Sequence, residues 1–285
     1  MTGRILSAIT VLLISASLAF SQEKKEKKPQ PEWLKGNKPS VELTYGVSQV
    51  RLNTSPVSLS NTGMFELKLG FTKQYDSKSF GKDIVKYSNN FLFLSNASVD
   101  FTGEPADSLS VDNSLWRFGF GNKEGYGIKA GGNFIITPYN AGSFAWSEFR
   151  YDNNPGIADT LYGTLNDFND AFRFGSTWEA GINFQIVKGF SITPMYEISH
   201  VYPRHLFGKQ AMSSLIEFSG LVLIDAFAKK ILKNAPVAGV LMNFVLKNAY
   251  EFGFYQLRKD QMNWPFTSTA PLRYNTFKVG MNFVF

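Results

Sequence analysis

The last eleven residues of the chain, 275–285, read NTFKVGMNFVF. Apolar residues alternate with small or polar ones, with Val284 as the one exception, and the alternation ends on an aromatic residue at the last position. Such alternation is typical of a β-strand with one face turned to an apolar environment. A solvated terminus has no need of a phenylalanine, so we predict a strand that stays ordered to its end. The apolar positions are Phe277, Val279, Met281, Phe283 and Phe285.

The first residues have the features of an export signal. Arg4 precedes an apolar run from Ile5 to Phe20, and small residues near its end fit a cleavage site before Gln22. We predict a secretory signal peptide over residues 1–21, with an N-terminal membrane anchor as the alternative. Residues 22–39 are rich in Lys, Glu and Pro and predict a disordered basic leader.

The composition excludes several kinds of site. The 285 residues include no cysteine, which excludes disulfides and thiolate metal sites. The content of 27 Phe and 24 Gly is typical of many short strands joined by turns, and only two histidines are present. The sequence has no linker and no internal repeat, so residues 40–285 are predicted to form one domain. No cofactor, metal or nucleic acid is predicted as a ligand.

The polar faces of the alternating segments are unusual. They hold Gly, Asn, Ser and Thr with single charges of both signs, where a soluble sheet would carry many long charged side chains. Small residues and paired charges suit the interior of a narrow closed barrel, with the Phe-rich face then turned to lipid. The charges predicted to lie in the lumen are Glu42, Glu66, Lys68, Arg117, Lys129, Glu179, Glu197 and Lys278.

These features together resemble the outer-membrane β-barrel proteins of Gram-negative bacteria. The resemblance covers residues 40–285 apart from a helical insert, and Phe285 with the apolar positions before it matches the terminal strand of that class. It implies a location in the bacterial outer membrane and contact with outer-membrane lipids. It also implies that Phe277, Val279, Met281, Phe283 and Phe285 form the signal that the barrel-assembly machinery reads.

The predicted fold is all-β, a closed antiparallel transmembrane barrel of about ten strands, with eight as the alternative. A turn is predicted at Asn122–Gly125 and another at Lys188–Gly189. The count of ten treats Ser143–Tyr151 and Ala249–Arg258 as separate strands, and the count of eight omits both. An even number is expected because both termini of such barrels face the periplasm.

Residues 203–248 form a predicted helical insert. Apolar residues recur at helical spacing from Pro203 to about Asn234, and a second, shorter helix is predicted from Pro236 to Asn248. We expect the insert to cap or plug the barrel or to lie in the membrane interface, with a transmembrane hairpin as another arrangement. The same segment is a candidate docking surface for an envelope protein.

Catalysis is not predicted, although His200, His205 and Glu197 are weak candidates. A serine–histidine pair could cleave lipid esters, but Ser199 and His200 are adjacent on a strand and should point to opposite faces. The favoured function is structural, binding or small-solute transport in the cell envelope. The alternatives are an outer-membrane lipid-modifying hydrolase using His200 or His205, and a scaffold subunit of an envelope or secretion complex.

Overall fold

The computed structural model of the chain describes residues 36–77, 79–102, 110–154, 158 and 162–285. The predicted signal peptide and most of the predicted leader lie outside the described residues. The described part forms eight β-strands that close into one antiparallel barrel. They are β1 (Lys38–Arg51), β2 (Thr62–Asp76), β3 (Ile84–Ser98), β4 (Asn113–Gly131), β5 (Phe134–Tyr151), β6 (Phe172–Val187), β7 (Phe190–Val201) and β8 (Leu272–Val284).

Each strand pairs with the next in sequence, and β8 closes the barrel against β1. Closure pairs the backbone amides of both edge strands, which an open sheet would leave unpaired. The short connections 77–83, 132–133 and 188–189 lie at the end where β1 begins and β8 ends, which we call the turn end. The longer connections lie at the opposite end, the loop end, and include a short 3-10 helix, Val99–Phe101.

The count of ten strands is wrong, and the alternative of eight is confirmed. The predicted turn at Asn122–Gly125 lies within β4, which continues to Gly131. The chain reverses at Gly131 and Gly132, whose φ angles of +117° and +55° favour glycine. Ser143–Tyr151 is consequently the second half of β5 and not a separate strand.

Two helices connect β7 to β8, α1 (Phe207–Asn234) and α2 (Pro236–Leu257). The predicted insert, 203–248, therefore begins before α1 and ends before α2 does. The prediction of an extended segment at Ala249–Arg258 is wrong, because these residues form the last turns of α2 and its C-terminal cap. Their aromatic side chains have a high β propensity, but they pack on the barrel, and tertiary packing overrides propensity.

Successive residues of each strand point alternately to the lumen and to the outside. On β1, for example, Glu42 is buried in the lumen and Tyr45 is exposed on the outer wall. The outward face is apolar along most of β2 and in the loop-end half of β4, as the alternation predicts. On β3 both faces are apolar: Phe91 and Phe93 are buried inside, and Leu92 is exposed outside. Alternation alone could not assign the faces of that strand.

Candidate functional site

Eight charged side chains meet in the middle of the barrel lumen. Four are acids and four are bases, so their formal charges cancel, and none is more than 5% exposed. Buried charges are tolerated only when they are paired and hydrogen-bonded. We call this group the lumen charge cluster, and it consists of Glu42, Glu66, Lys68, Arg117, Lys123, Glu179, Glu197 and Lys278.

Lys278 lies at the centre of the lumen charge cluster. Its ammonium nitrogen is 2.8 Å from Glu66 Oε1 and 3.0 Å from Glu179 Oε2, and it also contacts Glu197. One oxygen from each of these three carboxylates lies within 4.8 Å of the others, a spacing that could hold a metal ion. Because the Lys278 ammonium contacts all three, the chain supplies its own cation at this position.

The other members pair around this centre. Arg117 donates to Glu197 Oε1 at 2.6 Å and to Glu66 Oε2 at 2.9 Å. Lys123 donates to both carboxylate oxygens of Glu42 at 2.8 Å. Since most members have two or more partners, loss of one side chain leaves several opposite charges without compensation.

Aromatic rings line the wall beside the cluster. The Lys68 ammonium lies 5.0 Å from the centroid of the Phe91 ring, and the Arg117 guanidinium lies 5.2 Å from that of Phe93. Both distances are in the range of cation–π attraction. A cavity of about 10 Å³ is lined by Lys68 and the two phenylalanines, together with Glu66 and others, and it has room for about one water molecule.

Further layers fill the lumen on both sides of the cluster. At the loop end, Leu165 and Phe168 from the connection between β5 and β6 pack with the inward-facing Phe149. Toward the turn end, the Asn89 amide donates to Ser40 Oγ at 2.8 Å. In the described residues, side chains therefore occupy the lumen as an apolar layer, a charged layer and a polar layer, which is the interior expected of a narrow barrel.

Seven of the eight charges that the sequence placed in the lumen belong to the cluster. The exception is Lys129, which lies near the turn end of β4 and pairs with Asp76 at 2.7 Å, where both side chains are partly exposed. Lys123 was missed because the predicted turn at 122–125 put it in a connection. Counting every second residue onward from Arg117 reaches Lys123, so the alternation itself contained the signal.

The two helices form a hairpin on the outside of the barrel. Tyr255 of α2 packs against Trp178 and Ile198, which are the sequence neighbours of the inward-facing Glu179 and Glu197 and so point outward. The described helices therefore lie on the outer wall, and the prediction that they plug or cap the lumen is wrong. α2 contacts strands β4 to β6, whereas the wide apolar surface of α1, which suggested a lumen-filling segment, is largely exposed on the outside.

The hairpin runs along the wall from the loop end toward the turn end. Close to the connection between the helices, Leu232 and Val240 pack with Ile84 and Tyr126, which lie in the turn-end halves of β3 and β4. α1 is long and apolar enough to cross a membrane by length and composition, with a mean hydropathy of 1.5 over its most apolar window.

The polarity of the hairpin is the reverse of that of a helix on a soluble protein. Asp225 pairs with Lys247 at 2.9 Å across the two helices, and Glu217 pairs with Arg258 at 2.8 Å. The outer face of α1, in contrast, exposes large apolar side chains, among them Leu223 at 73%. Charges thus pair across the hairpin, while its outer surface is mostly apolar except for lysines near the end of α1. The other exposed apolar residues of α1 include Met212, Leu215, Phe218, Val222 and Phe227.

The weak catalytic candidates lie in three different places. His200 is fully buried between the outer wall and α2, 4.8 Å from Tyr255 between ring centroids. His205 lies in the connection before α1, beside Phe174, and Glu197 is engaged in the lumen charge cluster. Ser199 faces the lumen, and no nucleophile–base pair is formed among these residues in the described part of the chain.

The terminal strand presents its apolar residues on the outer wall. Phe277, Val279, Met281 and Phe285 are exposed, Phe283 is half-buried, and all five point away from the lumen. Phe285 lies just beyond β8, and its backbone amide donates to the Pro39 carbonyl at 2.9 Å. Residues 275–285 are thus held against β1 along their whole length.

No protein-family model matches the chain. Over 133 residues, or 45% of the chain, it is 26% identical to the uncharacterized protein YaiT of Salmonella typhimurium. The aligned part is 13% of the length of YaiT, so the chain matches a small part of that relative. The match supplies no function, because YaiT is itself uncharacterized.

Solved structures that align with 87% of the chain include two outer-membrane β-barrel proteins of Gram-negative bacteria. Neisserial surface protein A is 8% identical, with a TM-score of 0.39 and 97% of its chain covered. Ail, the attachment invasion locus protein of Yersinia pestis, is 10% identical, with a TM-score of 0.34 and 99% covered. At this level of similarity, the fold assignment depends on the strand topology of the chain itself.

Proposed function

We propose that the chain is a non-catalytic β-barrel protein of the bacterial outer membrane with a structural role in the cell envelope. One observation carries the proposal: charged side chains are enclosed in the lumen, and large apolar side chains cover the outer wall. A sheet in hydrocarbon must close so that no amide stays unpaired, and its lipid-facing side must be apolar. Export through a signal peptide over residues 1–21 is part of this proposal.

The turn end is then periplasmic and the loop end faces the outside of the cell. Transmembrane barrels have short periplasmic turns and longer external loops, which is the asymmetry between the two ends of this barrel. A lipid hydrolase is disfavoured, since the buried His200 ring lies outside the barrel while Ser199 lies inside.

A pore function is also disfavoured, and we expect no steady current when the purified full chain is inserted in planar bilayers. The lumen charge cluster and the apolar layer at the loop end leave no continuous path through the described residues. The same preparation must migrate as a folded barrel on an unboiled gel, which shows that the protein was inserted. A stable, ohmic single-channel current would contradict the proposal.

The hairpin is proposed to lie in the same membrane as the barrel, with its outer face against acyl chains. The exposed residues of α1 continue the apolar surface of the barrel wall. At a rise of about 1.5 Å per residue, a helix of this length spans the hydrocarbon core. The exposed Lys229, Lys230 and Lys233 near the turn end could reach the headgroups from there.

A scaffold role remains the second candidate, because the exposed apolar face of α1 could instead receive a transmembrane segment of an envelope protein. Removal of residues 207–257 separates the two roles. If the set of envelope proteins that co-purify with the barrel stays the same, the scaffold role is excluded. Loss of a specific, stoichiometric partner would favour it over simple contact with lipid.

A further inference from the structure

Three outward-facing positions at the loop end form a row of nitrogen donors across β7, β8 and β1. His200 is opposite Arg273, and Arg273 is opposite Arg51, in the strand register. Their inward-facing neighbours, Val50 and Tyr274, are buried in the lumen, which fixes the direction of the row. Directly opposite residues on paired strands have Cβ atoms about 4.5–5.5 Å apart, so the two arginines are close neighbours.

Most of the side-chain nitrogens in this row lack a hydrogen-bond partner. The Nε atom of Arg273 and both ring nitrogens of His200 are buried without a hydrogen bond. The one side-chain hydrogen bond of Arg273 is to Gln256 Oε1 at 3.2 Å, and Arg51 has none among the described residues. Like charges directly opposite each other are destabilising, and an unpaired buried donor is costly. A bound anion would reduce the repulsion between the two arginines and would give the unpaired donors an acceptor.

The surrounding acids do not neutralise the pair. Asp260 is close enough to influence Arg273, but it accepts a hydrogen bond from Asn53 at 2.8 Å and lies within 4 Å of neither arginine in the described structure. Arg150 makes an instructive contrast on the same outer wall at the loop end. It has two carboxylate partners, Glu148 at 2.6 Å and Asp170 at 3.0 Å.

The outer wall on the turn-end side of the two arginines is mostly apolar. Moving along β8 toward the turn end, Arg273 is followed on the outer face by Asn275, then by Phe277, which packs against Tyr196 with 4.8 Å between ring centroids. At about 3.3 Å per residue, Phe277 lies roughly 13 Å from Arg273 along the strand. A cationic pair above an exposed aromatic wall matches the layout of a lipid, whose phosphate lies above its acyl chains.

We propose that Arg51 and Arg273 bind the phosphate headgroup of a lipid in the leaflet at the loop end. Guanidinium groups bind phosphate through paired, charge-assisted hydrogen bonds. The acyl chains of that lipid would lie along Tyr196 and Phe277. The site rests on the membrane location proposed above, but its test is carried out in detergent micelles and so does not depend on where the protein resides in the cell.

The test measures retention of short-chain phosphatidic acid by the full chain, folded in detergent, with native mass spectrometry. Diacylglycerol of the same chain length and inorganic phosphate are the two comparison ligands. We expect the double variant Arg51→Gln/Arg273→Gln to bind phosphatidic acid on the order of tenfold more weakly, and Arg150→Gln to bind it like the natural chain. If the double variant does not fold, retention is measured on the single variant Arg51→Gln instead, because that substitution changes an exposed side chain.

Three results would overturn the proposal. The first is equal retention of phosphatidic acid and diacylglycerol by the natural chain. The second is an equal loss of binding in Arg150→Gln, which would show a general effect of surface charge. The third is full competition by inorganic phosphate at the same concentration, which would show a site for free anions and not for a lipid.

Discussion

The variant Lys278→Met is expected to lower the free energy of unfolding by about 3–5 kcal/mol, the usual cost of removing one partner from a buried ion pair. Lys278 contacts Glu66, Glu179 and Glu197, so its loss leaves the enclosed cluster with one excess negative charge. Urea unfolding of the barrel in lipid vesicles, followed by the shift in gel mobility of the unboiled sample, measures the change.

Two variants test whether charge balance is the cause. Lys129→Met removes a lysine whose pairing with Asp76 is partly exposed, and we expect it to cost less than about 1 kcal/mol. Lys278→Met/Glu179→Gln restores neutrality in the lumen and should recover part of the stability that Lys278→Met loses. An equal loss of stability in Lys129→Met, or no recovery of stability in the double variant, would contradict the account. Either result would show that charge compensation does not stabilise the lumen charge cluster.

The variant Leu92→Arg is expected to destabilise the barrel in vesicles by about 2–4 kcal/mol, as a lipid-facing arginine near the bilayer centre does. Leu92 lies in the middle of β3 and is 66% exposed, opposite Leu69 and Phe120 on the neighbouring strands. In a water-soluble barrel, a substitution at so exposed a position would change stability by less than about 0.5 kcal/mol. The same urea titration in vesicles measures the effect.

Asn96→Arg is the matched control for Leu92→Arg. Asn96 is on the same strand and the same outer face, but four residues nearer the loop end, where an arginine can reach the headgroups. We expect a cost of about 0–1 kcal/mol there, because the cost of a lipid-facing charge falls with distance from the bilayer centre. Equal effects at both positions would argue against a bilayer around this wall.

Alternation was sufficient to predict the barrel because the outer wall and the lumen impose opposite demands on successive residues. It placed Phe65, Trp116 and Phe277 outside and Glu66, Arg117 and Lys278 inside. The strand count was harder, because a turn depends on local backbone geometry. Asn122–Gly125 and Gly131–Gly132 are both plausible turns in sequence, and the glycines with positive φ form the actual one.

The position of the helices could not be predicted, because an apolar helix face has the same spacing whether it meets a lumen or lipid. The deciding contacts, such as Tyr255 with Trp178, join residues far apart in the sequence. The row of nitrogen donors across β7, β8 and β1 could not be predicted from the sequence for the same reason. Arg51 and Arg273 are neighbours only because the barrel closes between its first and last strands.

The central claim, that the apolar outer wall and hairpin lie in lipid, is tested most directly by labelling single cysteines with a membrane-impermeant maleimide. The chain has no natural cysteine, so Leu92→Cys and Leu223→Cys can each be labelled without background. Both side chains are exposed in the structure, but a thiol in hydrocarbon meets neither water nor the reagent. We expect no labelling of either in outer-membrane vesicles, and prompt labelling of Lys259→Cys at the loop end. Prompt labelling of Leu92→Cys and Leu223→Cys in the same vesicles would contradict the account.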